Sequence, residues 1–271
     1  MSKVKKNLII IGSIVGVLVV LTIVFGSLFS IKKVNVDFLT TTIRLNEYSK
    51  EDILEEANIK KNKSIVFYDF DSAEENLEKA FPYAKFNIVR FFPSRVIIYV
   101  YERTPAFRVL QDGFWHIYDE ELKCLEVIAV NNISINNNDN IPVLNDFDAN
   151  FNVGSGEFLI NPGLKNTISK ILDGVYGFEA TPISVMSDIT LSTLDILETP
   201  VISLKLKESG TTIIVQGENL VKEKIAYALF VYASEVSQNS SYEGKLDKVS
   251  ITVYQDFDLD NKQVVVNDGS N

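Results

Sequence analysis

The chain has 271 residues, 46% of them hydrophobic, and carries 36 acidic against 26 basic residues for a net charge of −10. That length has room for two compact domains, and the acidic balance, steeper still once Lys3, Lys5 and Lys6 are set aside, argues against a nucleic-acid partner. Cys124 is the only cysteine, which excludes an intramolecular disulfide and leaves the redox compartment open.

The run from Leu8 to Phe29, LIIIGSIVGVLVVLTIVFGSLF, is uncharged. At about 1.5 Å of rise per residue such a helix covers a hydrocarbon core of roughly 30 Å, and it is expected to span a membrane. A cleavable signal would have a shorter apolar core and a small-x-small pair near Gly26 to Ser30, which is missing. Lys3, Lys5 and Lys6 precede the run while Lys32, Lys33 and Arg44 follow it, so basic residues alone do not decide its orientation. A short tail with three lysines resists translocation and a long C-terminal region does not, so the N-terminus is expected in the cytoplasm. Gly12-x-x-x-Gly16 is a spacing that lets a second helix approach closely, and one that also arises by chance.

Past the run, Val34, Val36 and Phe38 alternate with Asn35 and Asp37 and predict a half-buried strand. Ser49 is an N-cap with Asp52 at the third helical position, and Ile53, Leu54 and Ala57 share one face until Asn58 stops the helix. Asp71 and Ser72 offer a second cap for a helix carrying Ala73, Leu77, Ala80 and Phe81, closed by Pro82. Ala84 to Arg90 and Arg95 to Arg103 are extended runs joined across Phe91-Phe92-Pro93-Ser94, a hairpin. Its second strand, Val96 to Tyr101, is apolar or aromatic on both sides, which implies cover on both faces. Glu102 and Arg103 read either as a solvated strand end or as a charge pair fixing the angle to the next domain. Pro105, which cannot donate to a ladder, marks the boundary.

Beyond it, Phe114 to Tyr118 and Leu122 to Ile128 form a hairpin over a solvated tip, Asp119-Glu120-Glu121. Six asparagines between Asn131 and Asn140 suggest an unstructured loop. Asn161 and Pro162 start a helix with Leu164, Ile168, Ile171, Leu172 and Val175 on one face, ended by Gly177. Val201 to Lys207 and Thr211 to Val215 make a hairpin over Glu208-Ser209-Gly210, and a second helix carries Val221, Ile225, Ala228, Leu229 and Tyr232. Val249 to Tyr254 and Gln263 to Val266 close the domain as extended runs.

A search for catalytic chemistry finds no constellation, so no catalytic residue, metal ligand, cofactor or small-molecule substrate is expected. His116, the only histidine, lies beside Trp115 with no second ligand nearby and reads as structural. Gly154-Ser155-Gly156 lacks the spacing of a nucleophile elbow, and no P-loop or dinucleotide fingerprint is present. Asp256, Asp258 and Asp260 open like a calcium loop, but Asn261 stands where glycine is needed and Asn267 where a bidentate glutamate belongs.

The order strand, helix, helix, strand, strand over Ile31 to Arg103 resembles a POTRA domain. With FSIKKVNV directly after one span and FPYAKFNIVRFFPSRVIIYVYERTP closing the module, the chain resembles the FtsQ/DivIB family of bacterial cell-division proteins. It departs from that family in its very short tail and its Asn-rich insertion. The resemblance implies an α+β chain: a cytoplasmic tail (1–7), a single transmembrane helix (8–29) holding the lipid bilayer, a POTRA domain (31–103), a mixed curved-sheet β-domain with two helices (104–266) and a disordered tail (267–271). It further implies a non-enzymatic scaffold at the division septum, with FtsB/DivIC-like and FtsL-like single-span proteins as partners. A membrane-anchored sensor or enzyme of the cell envelope is the alternative.

The last extended run has almost no chain after it to cover it, and Val264, Val265 and Val266 carry neither proline nor charge to blunt an edge. These valines, with Tyr254 and Phe257 as aromatic anchors, are therefore the candidate partner site, the competing reading being that the valines are simply core. For the topology, protease added to intact protoplasts is expected to remove nearly all of the protein's mass, and full protection would reverse the orientation.

Overall fold

The computed structural model describes residues 15–16, 26–40, 45–130, 140–146, 151, 153–194, 199–260 and 262–269. Most of the expected span, including Gly12, and the Asn-rich run up to residue 139 lie outside these. Among the described residues no helix is long and apolar enough to cross a membrane. The chain divides into two compact units, Met1–Arg103 and Thr104–Asn271.

In the first unit, β1 (Lys33–Phe38), α1 (Lys50–Ala57), α2 (Asp71–Ala80), β2 (Ala84–Phe91) and β3 (Arg95–Glu102) follow in that order. The sheet order is β1-β3-β2, with β3 parallel to β1 and antiparallel to β2. The Ser49 hydroxyl accepts from the Asp52 N–H at 3.0 Å, and Asn58 ends α1 in the left-handed region. For α2 the cap sits two residues earlier than Asp71: the Asp69 carboxylate accepts from the Ser72 N–H at 3.3 Å and from its hydroxyl at 2.7 Å. These bonds favour the ionised form and hold the Asp69 carboxyl below its usual range. Ile53, Ala57 and Leu77 pack with Val36, Phe86, Ile98 and Val100 into one core, whereas Leu54 and Ala80 face solvent.

Two expectations for β3 need correction. The helices cover one face only; on the other, Ile97 is buried but Tyr99 is half-buried and Tyr101 exposed, beside Asn35, Asp37, Asn87 and Lys85 on the flanking strands. Arg103 is not a solvated strand end, since it is 5% exposed. Its guanidinium donates to the Glu78 carboxylate at 2.8 Å and to the Ala84 carbonyl at 3.3 Å, which ties the end of β3 to α2 and to the start of β2 inside this unit.

The second unit holds a nine-stranded mixed sheet in the order β12-β11-β10-β9-β8-β7-β4-β5-β6. Its strands are β4 (Phe107–Gln111), β5 (Phe114–Tyr118), β6 (Cys124–Ala129), β7 (Val143–Asp146), β8 (Met186–Leu194), β9 (Thr199–Leu206), β10 (Thr212–Gln216), β11 (Ser250–Val253) and β12 (Val264–Asn267). The helices are α3 (Pro162–Tyr176), the single-turn α4 (Pro182–Val185) and α5 (Val221–Val231). Apolar stripes of α3 (Ile168, Ile171, Leu172, Val175) and α5 (Ile225, Ala228, Leu229) share one core with the alternate inward residues of the sheet, such as Leu204, Ile213, Val215 and Ile251. Three strands, β4, β7 and β8, were not expected. The hairpin tip is solvated at Glu120 but not at Asp119, which is 3% exposed and whose carboxylate accepts from the Glu121 and Lys123 N–H groups at 2.9 and 2.8 Å. The ladder of β12 also takes in Asn267, one residue into the expected tail.

Helices α3 and α5 come close together at Gly174. A Cβ there would lie 2.8 Å from Ile225 Cβ and 2.9 Å from the Lys222 carbonyl oxygen, inside contact distance with backbone. Gly174→Ala is therefore expected to lower stability by about 1–3 kcal/mol through overpacking, although alanine favours helix by about 1 kcal/mol elsewhere. Trp115, the only tryptophan, lies in this unit and reports its unfolding in denaturant. Unchanged or raised stability would mean that the two helices are not pressed together at this glycine.

Candidate functional site

The two edges of the large sheet differ. At β6 a following segment supplies partners: Cys124 N–H donates to the Glu157 carbonyl at 2.9 Å, Gly156 N–H to the Cys124 carbonyl at 2.8 Å, and Leu159 N–H to the Leu122 carbonyl at 2.8 Å. Ser155 belongs to this brace, its hydroxyl donating to the Leu125 carbonyl at 2.9 Å. At the opposite edge β12 pairs antiparallel with β11, and among the described residues no strand lies beyond it.

The phase of the ladder tells which groups of β12 face outward. Thr212 N–H donates to the Val249 carbonyl at 3.0 Å, and Thr212 is in register with Ser250 in the parallel β10–β11 pair. In a parallel ladder this turns the backbone groups of Val249, Ile251 and Val253 toward β10, and those of Ser250 and Thr252 toward β12. Thr252 stands opposite Val265, so Val265 spends its N–H and C=O on β11. Val264 and Val266, opposite Val253 and Ile251, point theirs away from the sheet. The side chains alternate with the backbone: Val264 and Val266 pack against the core, whereas Val265 is 48% exposed. The valines divide: two are anchored by the core and turn their backbone groups outward, while the third exposes its side chain.

Tyr254 is 38% exposed beside this edge. Phe257 needs correction, because it is 4% exposed and its ring centroid lies 5.8 Å from that of Tyr227. It is an internal peg that holds the turn after β11 and is no surface anchor. The Tyr254–Phe257 turn is pinned by residues that periodicity did not single out. A Cβ on Gly217, whose φ is +79°, would lie 3.0 Å from Gln255 Cβ, so the chain passes close there only because of the glycine. Lys224 is fully buried on α5 and its Nζ donates to the Gln216 carbonyl at 2.6 Å. Burial pulls its pKa down, and the charge of Asp256 pulls it back. Its spacing three residues after Val221 puts it on the apolar stripe, a signal the sequence did carry.

The residues tested for chemistry are structural. His116 is 5% exposed, and burial keeps its imidazole below the usual pKa despite a backbone contact with Val153. The Cys124 thiol is buried and pushed up to about 12, which leaves no thiolate at neutral pH. Asp256, Asp258 and Asp260 are exposed, and Asp258 accepts from the Asp260 N–H at 2.7 Å as an ordinary turn. Among the described residues no three His, Cys, Asp or Glu side chains converge on a metal position.

Residues 29–103 match the family described as POTRA domain, FtsQ-type. No curated protein matches the chain. The matched segment covers the whole β1-α1-α2-β2-β3 order, and this family is division-related, generally non-enzymatic and concerned with protein–protein contacts. The first unit is an FtsQ-type POTRA domain, a match that supports an FtsQ/DivIB-like reading of the chain.

Proposed function

We propose that the chain is a non-enzymatic scaffold of the bacterial cell-division machinery, anchored by residues 8–29 with its N-terminus in the cytoplasm and both folded units outside, at the septum. Its partners are FtsB/DivIC-like and FtsL-like single-span proteins. The observation that supports this most is the outer edge of β12, in a chain that begins with an FtsQ-type POTRA domain. A partner segment in extended form adds there as a tenth strand, bonding the N–H and C=O groups of Val264 and Val266, while Val265 and Tyr254 supply the side-chain contacts that select it. Strand addition needs no pocket and no chemistry.

The ladder phase makes the test specific. Proline at Val266 removes an outward N–H and leaves the bonds of Val265 to β11 in place, so Val266→Pro is expected to weaken capture of the single-span partners by about tenfold or more, the equivalent of ~1.4 kcal/mol. Because proline also removes Val266 methyls that pack against the core, unfolding followed by Trp115 should shift slightly, and much less than in Val265→Pro. Proline at Val265 instead breaks the β11–β12 ladder itself, and is expected to lose capture together with local stability. Unchanged affinity in Val266→Pro places the partner elsewhere on the protein.

A further inference from the structure

The first unit carries a second exposed feature, unrelated to β12. Phe67 is 89% exposed, Val66 42% and Phe92 58%, an unusual outlay of large apolar surface for a unit of this size. All three sit where the uncharged run ends. Ile31 N–H donates to the Lys63 carbonyl, Ile65 N–H to the Phe29 carbonyl and Lys32 N–H to the Ser94 carbonyl, each at 2.8 Å. The loop holding Val66 and Phe67 and the β2–β3 turn holding Phe92 therefore flank residues 29–32 on two sides. The Phe29 and Phe92 rings meet edge-on at 5.9 Å, so the last residue of the apolar run touches the turn directly.

The charges around these aromatics reverse the sign of the rest of the chain. Residues 29–33, 59–69 and 90–95 contain Lys32, Lys33, Lys60, Lys61, Lys63, Arg90 and Arg95 against a single acid, Asp69, whose carboxylate bonds Ser72, in a protein whose net charge is −10. All of these basic residues are exposed. Two are shaped by neighbouring rings, Arg90 lying over Phe70 and Arg95 over Phe91, each with its guanidinium carbon 4.9 Å from the ring centroid. Aromatic tips ringed by cations fit a bilayer interface, where the rings enter the headgroup boundary and the cations meet phosphate. A soluble acidic protein would be served by the cations alone.

We propose that this face, with Phe67 and Phe92 as its tips, lies on the surface of an anionic phospholipid bilayer and holds the first unit down beside its own anchor. The inference rests on the reading of residues 8–29 as a membrane span. The face then restricts how far the POTRA domain can swing, a restriction that a span and a flexible connection would not provide.

The test uses the full-length chain in nanodiscs, with Phe67→Trp or Phe92→Trp placed in a Trp115→Phe background so that the new indole is the only one. In phosphatidylglycerol-containing discs both indoles are expected to shift to the blue and to be quenched by lipids brominated near the glycerol end of the acyl chain. Pure phosphatidylcholine discs, or charge reversal by Lys61→Glu with Lys63→Glu, should lose much of that quenching. Indoles that stay open to acrylamide and blind to brominated lipid in anionic discs overturn the proposal. So does quenching that ignores both lipid charge and the reversal, or that arises only when a single-span partner protein is added. Alkaline extraction of the same samples tests the anchor separately: a chain that resists extraction with water-exposed indoles keeps the span and loses the face, and an extractable chain with lipid-quenched indoles does the reverse.

Discussion

A sheet that does not close on itself has two last strands, and half of the backbone polar groups on each must bond to something other than a neighbouring strand. Much of the second unit can be understood from how it meets that requirement. At the start of β6 the chain folds back, and Gly156 to Leu159 bond the backbone groups of Leu122 and Cys124. At β12 the described chain turns at Gly269, whose N–H donates to the Asn267 side chain at 3.1 Å, without returning along the strand. An edge so placed is water-facing or partner-facing, and a sequence of three valines favours the second.

What keeps that edge in shape is remote from it. The direction of the outward groups on Val264 and Val266 follows from the bond between Thr212 and Val249, two strands inward, because each ladder passes its alternation to the next. The same alternation sends the side chains of Val264 and Val266 into the core shared by α3 and α5. Slippage by one residue would expose both and bury Val265, at a cost set by the apolar area involved. Phe257 acts on the other side of the edge, holding the turn between β11 and β12 against Tyr227, while the buried Lys224 bonds the end of β10 at Gln216. Phe257 touches no partner in this account, yet it helps determine where the partner's strand would lie.

Most of this fold was legible in the sequence because its signals are local. The Ser49 and Asn161 caps, the apolar stripes of α1, α3 and α5, and the three hairpins each depend on residues within one or two turns of each other, and each is present. What was missed depends on distant partners. β7 has only four residues and pairs in parallel with strands far away in the chain, so no adjacent turn announces it. Arg103 looks like a solvated end until α2 brings Glu78 within 2.8 Å of it. Asp119 and Phe257 failed in the same way: a carboxylate in an acidic tip and an aromatic between aspartates both read as exposed, and each is buried by contacts that form only when the sheet is assembled. For the edge itself, the sequence located the valines but could not say which of them spend their backbone inward.

On the reading proposed above the two units attach by different means, the POTRA domain by a basic aromatic face and the sheet by an edge that no described strand covers, and neither requires a catalytic group. The claim on which the scaffold reading stands is that Val264 and Val266 donate their N–H groups to a partner. Amide hydrogen exchange on the full-length chain in nanodiscs, with and without its single-span partners, reads those donors one by one. The account predicts that the Val264 and Val266 amides exchange rapidly alone and slow markedly in the complex, while the Val265 amide, already bonded to β11, changes little. Slowed exchange elsewhere with Val264 and Val266 unaltered would contradict it.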